Sequence, residues 1–300
     1  MTLAMVLKNS AETLPRALNG IEGLDYDKKL MKLIFVDGGS TDGSLGILND
    51  FRRRNAANYE DVTIMTGNYD VTEGRNLCIS NSEGEMVLFV DSDVVVPRNL
   101  LSEVEKVFSS DPRIAFVNVP CVVEEERRGW VDRFYGSMGE PQGMSCAAIR
   151  TSALKEVGPY FVGFARGENP NELIHRLRKR GYKAAVAESS ALHIKQKPRG
   201  FYDYLKYSFF VAVIYHLQEI EAGRKYVMAK YAYYTALLLS PVVLAFSVPL
   251  FFILFVPGVS YYLVRSRGNP CALPALLAGM VLPIGMLFLI LRRAREKRIR

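Results

Sequence analysis

Four short apolar runs alternate with helix-like stretches over the first 90 residues, and this alternation most limits what the chain can fold into. The runs are Thr2–Leu7, Lys32–Val36, Val62–Met65 and Glu85–Val90. Between them, Ala11–Ile21 carries Leu14, Leu18 and Ile21 at helical spacing, and Leu45–Phe51 and Gly74–Asn81 also read as helices. Strands alternating with helices give βαβ units around a mostly parallel sheet, so the fold class is α/β. Further on, Met144–Ile149 and Ala184–Ala187 read as strands and Glu172–Arg180 as a helix. Val122–Pro141 is polar and irregular, with Glu124, Glu125 and Glu126 beside Arg127 and Arg128, and reads as a mobile surface segment. No internal repeat or low-complexity linker interrupts the pattern. Hydrophobic residues make up 49% of the chain and charged residues 23%, which excludes a disordered chain. Cys78, Cys121, Cys146 and Cys271 are scattered without CxxC spacing, which argues against a zinc site or a disulfide framework.

The composition changes near Lys230. Ala232–Val264 contains 33 residues without a formal charge. As one helix it would be about 50 Å long against roughly 30 Å of hydrocarbon, so it must tilt, kink or emerge. Pro241, Pro249 and Pro257 allow a kink, and two spans of about 15 residues would each be too short. Cys271–Leu291 reads as a second span, and Phe201–Ile220 as an interfacial helix lying along the membrane. Arg224, Lys225 and Lys230 precede the first span. Arg292, Arg293, Arg295, Lys297, Arg298 and Arg300 follow the second. Both basic flanks favour the cytoplasm, leaving the short loop around Arg265 outside. The net charge of +7 is therefore a topology signal before it is a nucleic-acid signal, and no nucleic-acid reader motif accompanies it. No basic n-region with a long apolar core opens the chain, so no signal peptide is expected. The expected organisation is a catalytic domain over 1–200, an interfacial helix and linker over 201–230, a transmembrane hairpin over 231–291 and a basic cytoplasmic tail over 292–300. The expected location is the cell membrane, with the catalytic domain and C-terminus cytoplasmic.

Two polar clusters stand directly after predicted strands, where ligands gather in parallel sheets. Val36-Asp37-Gly38-Gly39-Ser40-Thr41-Asp42 is the first. Its glycines permit a tight turn and close approach to a ligand, and Asp37 can accept hydrogen bonds from a base or ribose. The same residues also suit a plain strand-to-helix turn with a capping Ser or Asp. The second is Asp91-Ser92-Asp93, after Met86–Val90. Two carboxylates one residue apart suit a hard divalent cation that also holds a diphosphate. DxD alone is a cheap pattern; its place at the end of a buried strand, after another acidic glycine turn, gives it weight.

Taken in order, these pieces resemble the GT-A fold glycosyltransferases of the large inverting family 2. Leu3–Asn9, the Val36–Asp42 turn, Gly74-Arg75-Asn76 and Leu88–Asp93 follow that family's nucleotide-binding half. Ile149-Arg150, Val157-Gly158, Gly167-Glu168 and Leu173–Gly181 continue the likeness, which covers roughly residues 2–200. The resemblance implies a Rossmann-like, mostly parallel sheet and a nucleotide-sugar donor. It implies that Asp37 contacts the base, that Lys8, Arg75, Asp91 and Lys195 help hold the donor, and that Asp93 and His193 ligate Mg²⁺ or Mn²⁺ on the diphosphate. Lys195, Lys197 and Arg199 can neutralise phosphate charge; a structural histidine on a solvated basic face is the plainer reading of this stretch. The membrane hairpin resembles the polyprenyl-phosphate and cell-envelope branches.

Two departures stand out. Ser10 occupies a position that is usually acidic, and Asn169 the usual Asp position of the catalytic Glu-Asp pair, with one residue inserted before Glu172. An amide is no general base. Glu168 or Glu172 takes that role, or none is needed because the acceptor is a phosphate that is already anionic. Glu168 also suits a helix N-terminus. The expected activity is metal-dependent inverting transfer of a sugar from a nucleotide-sugar donor to a polyprenyl phosphate or lipid-linked saccharide, with membrane lipid as a partner and no nucleic acid. The alternative is a catalytically silent relative that binds nucleotide sugar and scaffolds an assembly complex.

Overall fold

A computed structural model of the protein describes residues 1–123, 144–158, 170–194, 226–239, 248–265 and 282–288, together with Tyr202. Residues 1–125 and 141–196 form one compact unit, and 126–140 and 197–300 a second.

The first unit opens with β1 (Thr2–Leu7), α1 (Leu14–Glu22), β2 (Lys32–Asp37), α2 (Ser44–Asn55), β3 (Asp61–Thr66), α3 (Val71–Ser80) and β4 (Met86–Val90). It continues through β5 (Val94–Val95), α4 (Leu100–Ser110), β6 (Ile114–Asn118) and β7 (Cys121–Val123). After these come β8 (Cys146–Arg150), α5 (Thr151–Val157), α6 (Pro170–Lys179), β9 (Lys183–Val186) and β10 (Ala191–His193). Seven strands make one sheet in the order β3-β2-β1-β4-β8-β6-β9, and β5-β10-β7 make a small second sheet. In the large sheet β8 runs antiparallel to both neighbours, and every other pairing is parallel. This is the expected α/β class.

Strand alternation divides the core. Leu3, Met5, Leu33, Phe35, Leu88 and Val90 point to the face covered by α1, α2 and α4. Ala4, Ile34, Val36, Val87 and Phe89 point to the other face, with Cys78 of α3, Leu154 of α5 and Leu173 of α6. With both faces covered, the central strands are apolar throughout, which is why they read as continuous runs rather than alternating ones. Strand order reverses at β1, since β2 lies on one side and β4 on the other. The carboxyl ends of β1 and β4 therefore flank a crevice, the usual ligand position in an open α/β sheet.

Several boundaries differ from expectation. α3 begins at Val71 rather than at Gly74, because Asp70 and Glu73 form a reciprocal capping box that starts the helix earlier. His193 does not simply follow the 184–187 strand; it lies on β10, a separate strand of the small sheet. α4, β5, β6 and β7 had no counterpart in the expected pattern.

In the second unit, α7 (Tyr226–Leu238) and α8 (Val248–Arg265) fall in the uncharged run, and 282–288 is helical. α7 ends at Leu238 and Leu239 is in a turn, while 240–247, the middle of the expected first span, lie outside the described residues. Pro249 sits in the first turn of α8, where a missing N–H costs nothing. Tyr234, Leu237 and Leu282 are buried together, with Phe255 and Val259 packed on them. Among the described residues, no helix is long and apolar enough to cross a membrane. Apart from Tyr202, the expected interfacial helix lies outside the described residues, as do most of the Cys271–Leu291 span and the 124–141 part of the expected mobile segment.

Candidate active site

A cavity of about 760 Å³ opens at the crevice beside β1. Val6, Leu7, Lys8 and Ser10 line it from β1 and its loop, and Asp91, Ser92 and Asp93 from the end of β4. Asn68, Tyr69, Asp70, Val71, Glu73 and Arg75 form the opposite wall, from the loop after β3 and the start of α3.

The acidic turn is built by its neighbours. Val87, Phe89 and Asp91 fall on one face by strand periodicity, the face that α3 covers. Arg75 on α3 meets Asp91 there: Nη2 donates to Asp91 Oδ1 at 2.8 Å and to the Met144 carbonyl at 3.4 Å. Its guanidinium lies 5.6 Å from the Phe89 ring centroid. The Arg75 side chain is only 3% exposed, so its ion pair with Asp91 is shielded from solvent on the arginine side. The Val94 amide closes the turn on the Asp91 carbonyl at 3.1 Å. Gly74 brings α3 this close: a Cβ on it would stand 2.6 Å from Val6 Cγ1.

Asp93 and His193 are 100 positions apart in sequence, and their Nε2–Oδ2 separation is 3.6 Å. The strand ladder causes this: β10 pairs antiparallel with β5, placing His193 opposite Val94. The Ile194 amide also donates to the Asp93 carbonyl at 2.6 Å. The donor set suits a divalent cation. Two ligands each about 2.1 Å from one ion at right angles stand about 3.0 Å apart, and further as the angle opens. The cavity wall carries four carboxylates (Asp70, Glu73, Asp91 and Asp93) against Lys8 and Arg75. This excess of negative charge favours a cation in the cavity. Among the described residues no group of three or more His, Cys, Asp or Glu side chains converges, so such an ion would take its other ligands from donor and water, as Mg²⁺ commonly does.

The other expected residues divide as follows. Lys8 is exposed on the cavity rim. Asp37 is 1% exposed and does not line the cavity; its carboxylate accepts the Ser40 amide at 3.0 Å and the Ser40 hydroxyl, closing its own turn. Glu172 falls on α6, while Glu168 and Lys195 lie outside the described residues. Ser10, Asn68, Tyr69, Asp70 and Glu73 were not foreseen as lining residues. The D-x-x-E capping box was a readable signal for the last two, and the others become neighbours only once β3 is set beside β2.

The turns after β1 and β2 are tied together. Thr41 donates its amide to Asn9 Oδ1 at 2.8 Å, and the Asn9 amide donates to Ser40 Oγ at 2.8 Å. Asp42 accepts the Ser44 hydroxyl at 2.6 Å and the Ala11 amide at 2.9 Å, and these bonds hold its carboxyl below the usual range.

Residues 2–168 match the family described as Glycosyl transferase family 2. The chain belongs to this family. Its fold is GT-A-like, and the matched range contains the cavity walls and the acidic turn, while His193 lies beyond it. The poly(ribitol-phosphate) β-N-acetylglucosaminyltransferase TarS of Staphylococcus aureus is 32% identical over 95 residues, which are 32% of this chain and 16% of TarS. The poly(ribitol-phosphate) β-glucosyltransferase of Bacillus spizizenii is 32% identical over 98 residues, 31% of this chain and 14% of that protein. The match thus spans a small part of these relatives' length. Among solved structures, the Pyrobaculum calidifontis mannosyltransferase PcManGT in complex with GDP-Man and Mn²⁺ superposes with a TM-score of 0.63 at 15% identity. That match covers 93% of this chain and 86% of the other. TarS residues 1–349 in complex with UDP-GlcNAc give a TM-score of 0.54 at 14% identity, covering 94% and 90%. At these identities the likeness is one of fold.

Proposed function

We propose that the transferase is metal-dependent and inverting, and moves a sugar from a nucleotide-sugar donor to a membrane-associated acceptor. The observation that carries this reading is the approach of His193, on the small sheet, to Asp93, which lines a cavity wall rich in carboxylates. Asp93 and His193 would hold Mg²⁺ or Mn²⁺, which supplies positive charge where the leaving diphosphate accumulates negative charge. Arg75 fixes Asp91, and Lys8 on the rim offers a second cation to the phosphates. Asp37 would meet the base through its turn, and Lys195 would add to the phosphate clamp. Transfer forms a bond from the acceptor oxygen to the anomeric carbon on the face opposite the diphosphate, and the carbon–diphosphate bond breaks. A hydroxyl acceptor gives its proton to Glu168 or Glu172; a phosphate acceptor has none to give.

The acceptor reading is a polyprenyl phosphate or a lipid-linked saccharide, reached from the cytoplasmic face by a chain held in the membrane as a two-span hairpin. The uncharged run and the basic residues on either side of the hairpin support it. A second acceptor reading rests on the relatives, two of which are named for poly(ribitol-phosphate); a polyol-phosphate polymer therefore belongs among the acceptors assayed.

The test is donor consumption by purified protein with UDP-, GDP-, CDP- and dTDP-sugars, with and without Mn²⁺, against each acceptor class. One donor is consumed only with metal, and Asp93→Asn lowers the rate by roughly 100-fold. Full activity in Asp93→Asn would overturn the metal assignment.

A further inference from the structure

Each residue of the acidic turn is held from a different direction. Asp91 is held by Arg75 of α3, and the Asp93 carbonyl by the amide of Ile194 after β10. Ser92, between them, is 9% exposed, and its hydroxyl donates to Ser10 Oγ at 2.8 Å. Ser10 Oγ in turn points at the Lys8 carbonyl, 3.5 Å away.

Ser10 is itself anchored. Its amide donates to Ser44 Oγ at 2.8 Å, and Ser44 is fully buried. Ser44 Oγ donates to one oxygen of Asp42, whose other oxygen accepts the amide of Ala11, the residue after Ser10. This ring of hydrogen bonds ties the loop after β1 to the start of α2, so the Ser10 hydroxyl is presented from a fixed backbone. A neutral hydroxyl there meets Ser92 without adding a further negative charge to the cavity wall.

We propose that Ser10 is a positioning residue for the cation-binding turn. Its hydroxyl holds Ser92, and so keeps the intervening backbone from rotating while Asp91 faces Arg75 and Asp93 faces His193. The proposal rests on the reading that Asp93 and His193 hold the metal.

The experiment titrates Mn²⁺ into wild type, S10A, S10T, S92A, S10A/S92A and D93N. It follows free Mn²⁺ by electron paramagnetic resonance, with melting curves on each protein and Mn²⁺ half-saturation for donor turnover. S10A and S92A should each weaken Mn²⁺ binding roughly 3- to 10-fold, the scale of one hydrogen bond. S10A/S92A should be no weaker than the worse single variant, because both remove the same bond. S10T should restore binding, and the loss in S92A should appear without a matching fall in melting temperature. Wild-type Mn²⁺ affinity in S10A and S92A, or losses that add in the double variant, would overturn the proposal. D93N separates the two layers. Lost Mn²⁺ binding there is the expected result, and retained binding removes the metal reading together with the positioning role built on it.

Discussion

Asp91 and Asp93 are the same amino acid two positions apart, yet they meet opposite partners. Strand phase sends Asp91 towards α3 and Arg75, while the turn delivers Asp93 to a histidine on another sheet. The carboxylate that anchors that sheet is Glu103 on α4. It accepts the Ser189 amide at 2.9 Å, together with the Ser189 hydroxyl and the Glu188 amide, just before β10 begins. Burial opposes its ionisation, but these hydrogen bonds outweigh it and hold the carboxyl below its ordinary 4.5. A folded-state value below the unfolded one gives stability that is complete at neutral pH and is lost as pH falls through the folded value. Glu103→Gln should therefore melt lower than wild type at pH 7, and the gap should narrow as pH drops below about 4.5. Calorimetric melting across pH 3–7 checks this; a gap constant with pH would disprove the assignment.

α3 shows how one element carries both fold and site. Its capping box sets where it starts, Gly74 sets how near the sheet it lies, and Arg75 uses that nearness to reach Asp91. An alanine normally gains about 1 kcal/mol over glycine inside a helix. In Gly74→Ala the new methyl would stand 2.6 Å from Val6 Cγ1, with Val36 behind it, so α3 must lift away. Overpacking of this kind costs about 1–3 kcal/mol and outweighs the helix gain. The urea midpoint should fall with an unchanged slope, and donor affinity should fall with it as Arg75 withdraws. α4 was legible but not foreseen: Leu100, Leu101, Val104 and Phe108 are buried at helical spacing. β10 was not legible. Three residues carry no periodicity, and only the partners β5 and β7 make them a strand.

At the scale of the whole chain, the two units differ in how they meet solvent. The first buries its apolar strands under helices on both faces. In the second, α8 leaves Phe252 54%, Ile253 66% and Val264 80% exposed, and Leu287 in 282–288 is 57% exposed. Apolar surface on this scale marks an interaction site, which the membrane reading supplies with lipid. The full chain should float with liposomes in a density gradient, and Ile253→Glu with Val264→Glu should shift it toward the lipid-free fraction. Recovery of wild type free of lipid would count against the membrane-bound reading.

The order of strands and helices in the first 90 residues, the glycine turn at Asp37 and the acidic turn at Asp91 could all be read from the residues alone. Each is local, set by periodicity over a few positions and by residues suited to tight turns. The partner of Asp93, the burial of Asp37 within its own turn, the cavity wall from 68 to 73 and the hydroxyl link from Ser10 to Ser92 belong to the tertiary structure. They join residues up to 100 positions apart through parallel registers and a second small sheet. No local pattern encodes such a meeting, because strand pairing decides which ends of the chain share a crevice.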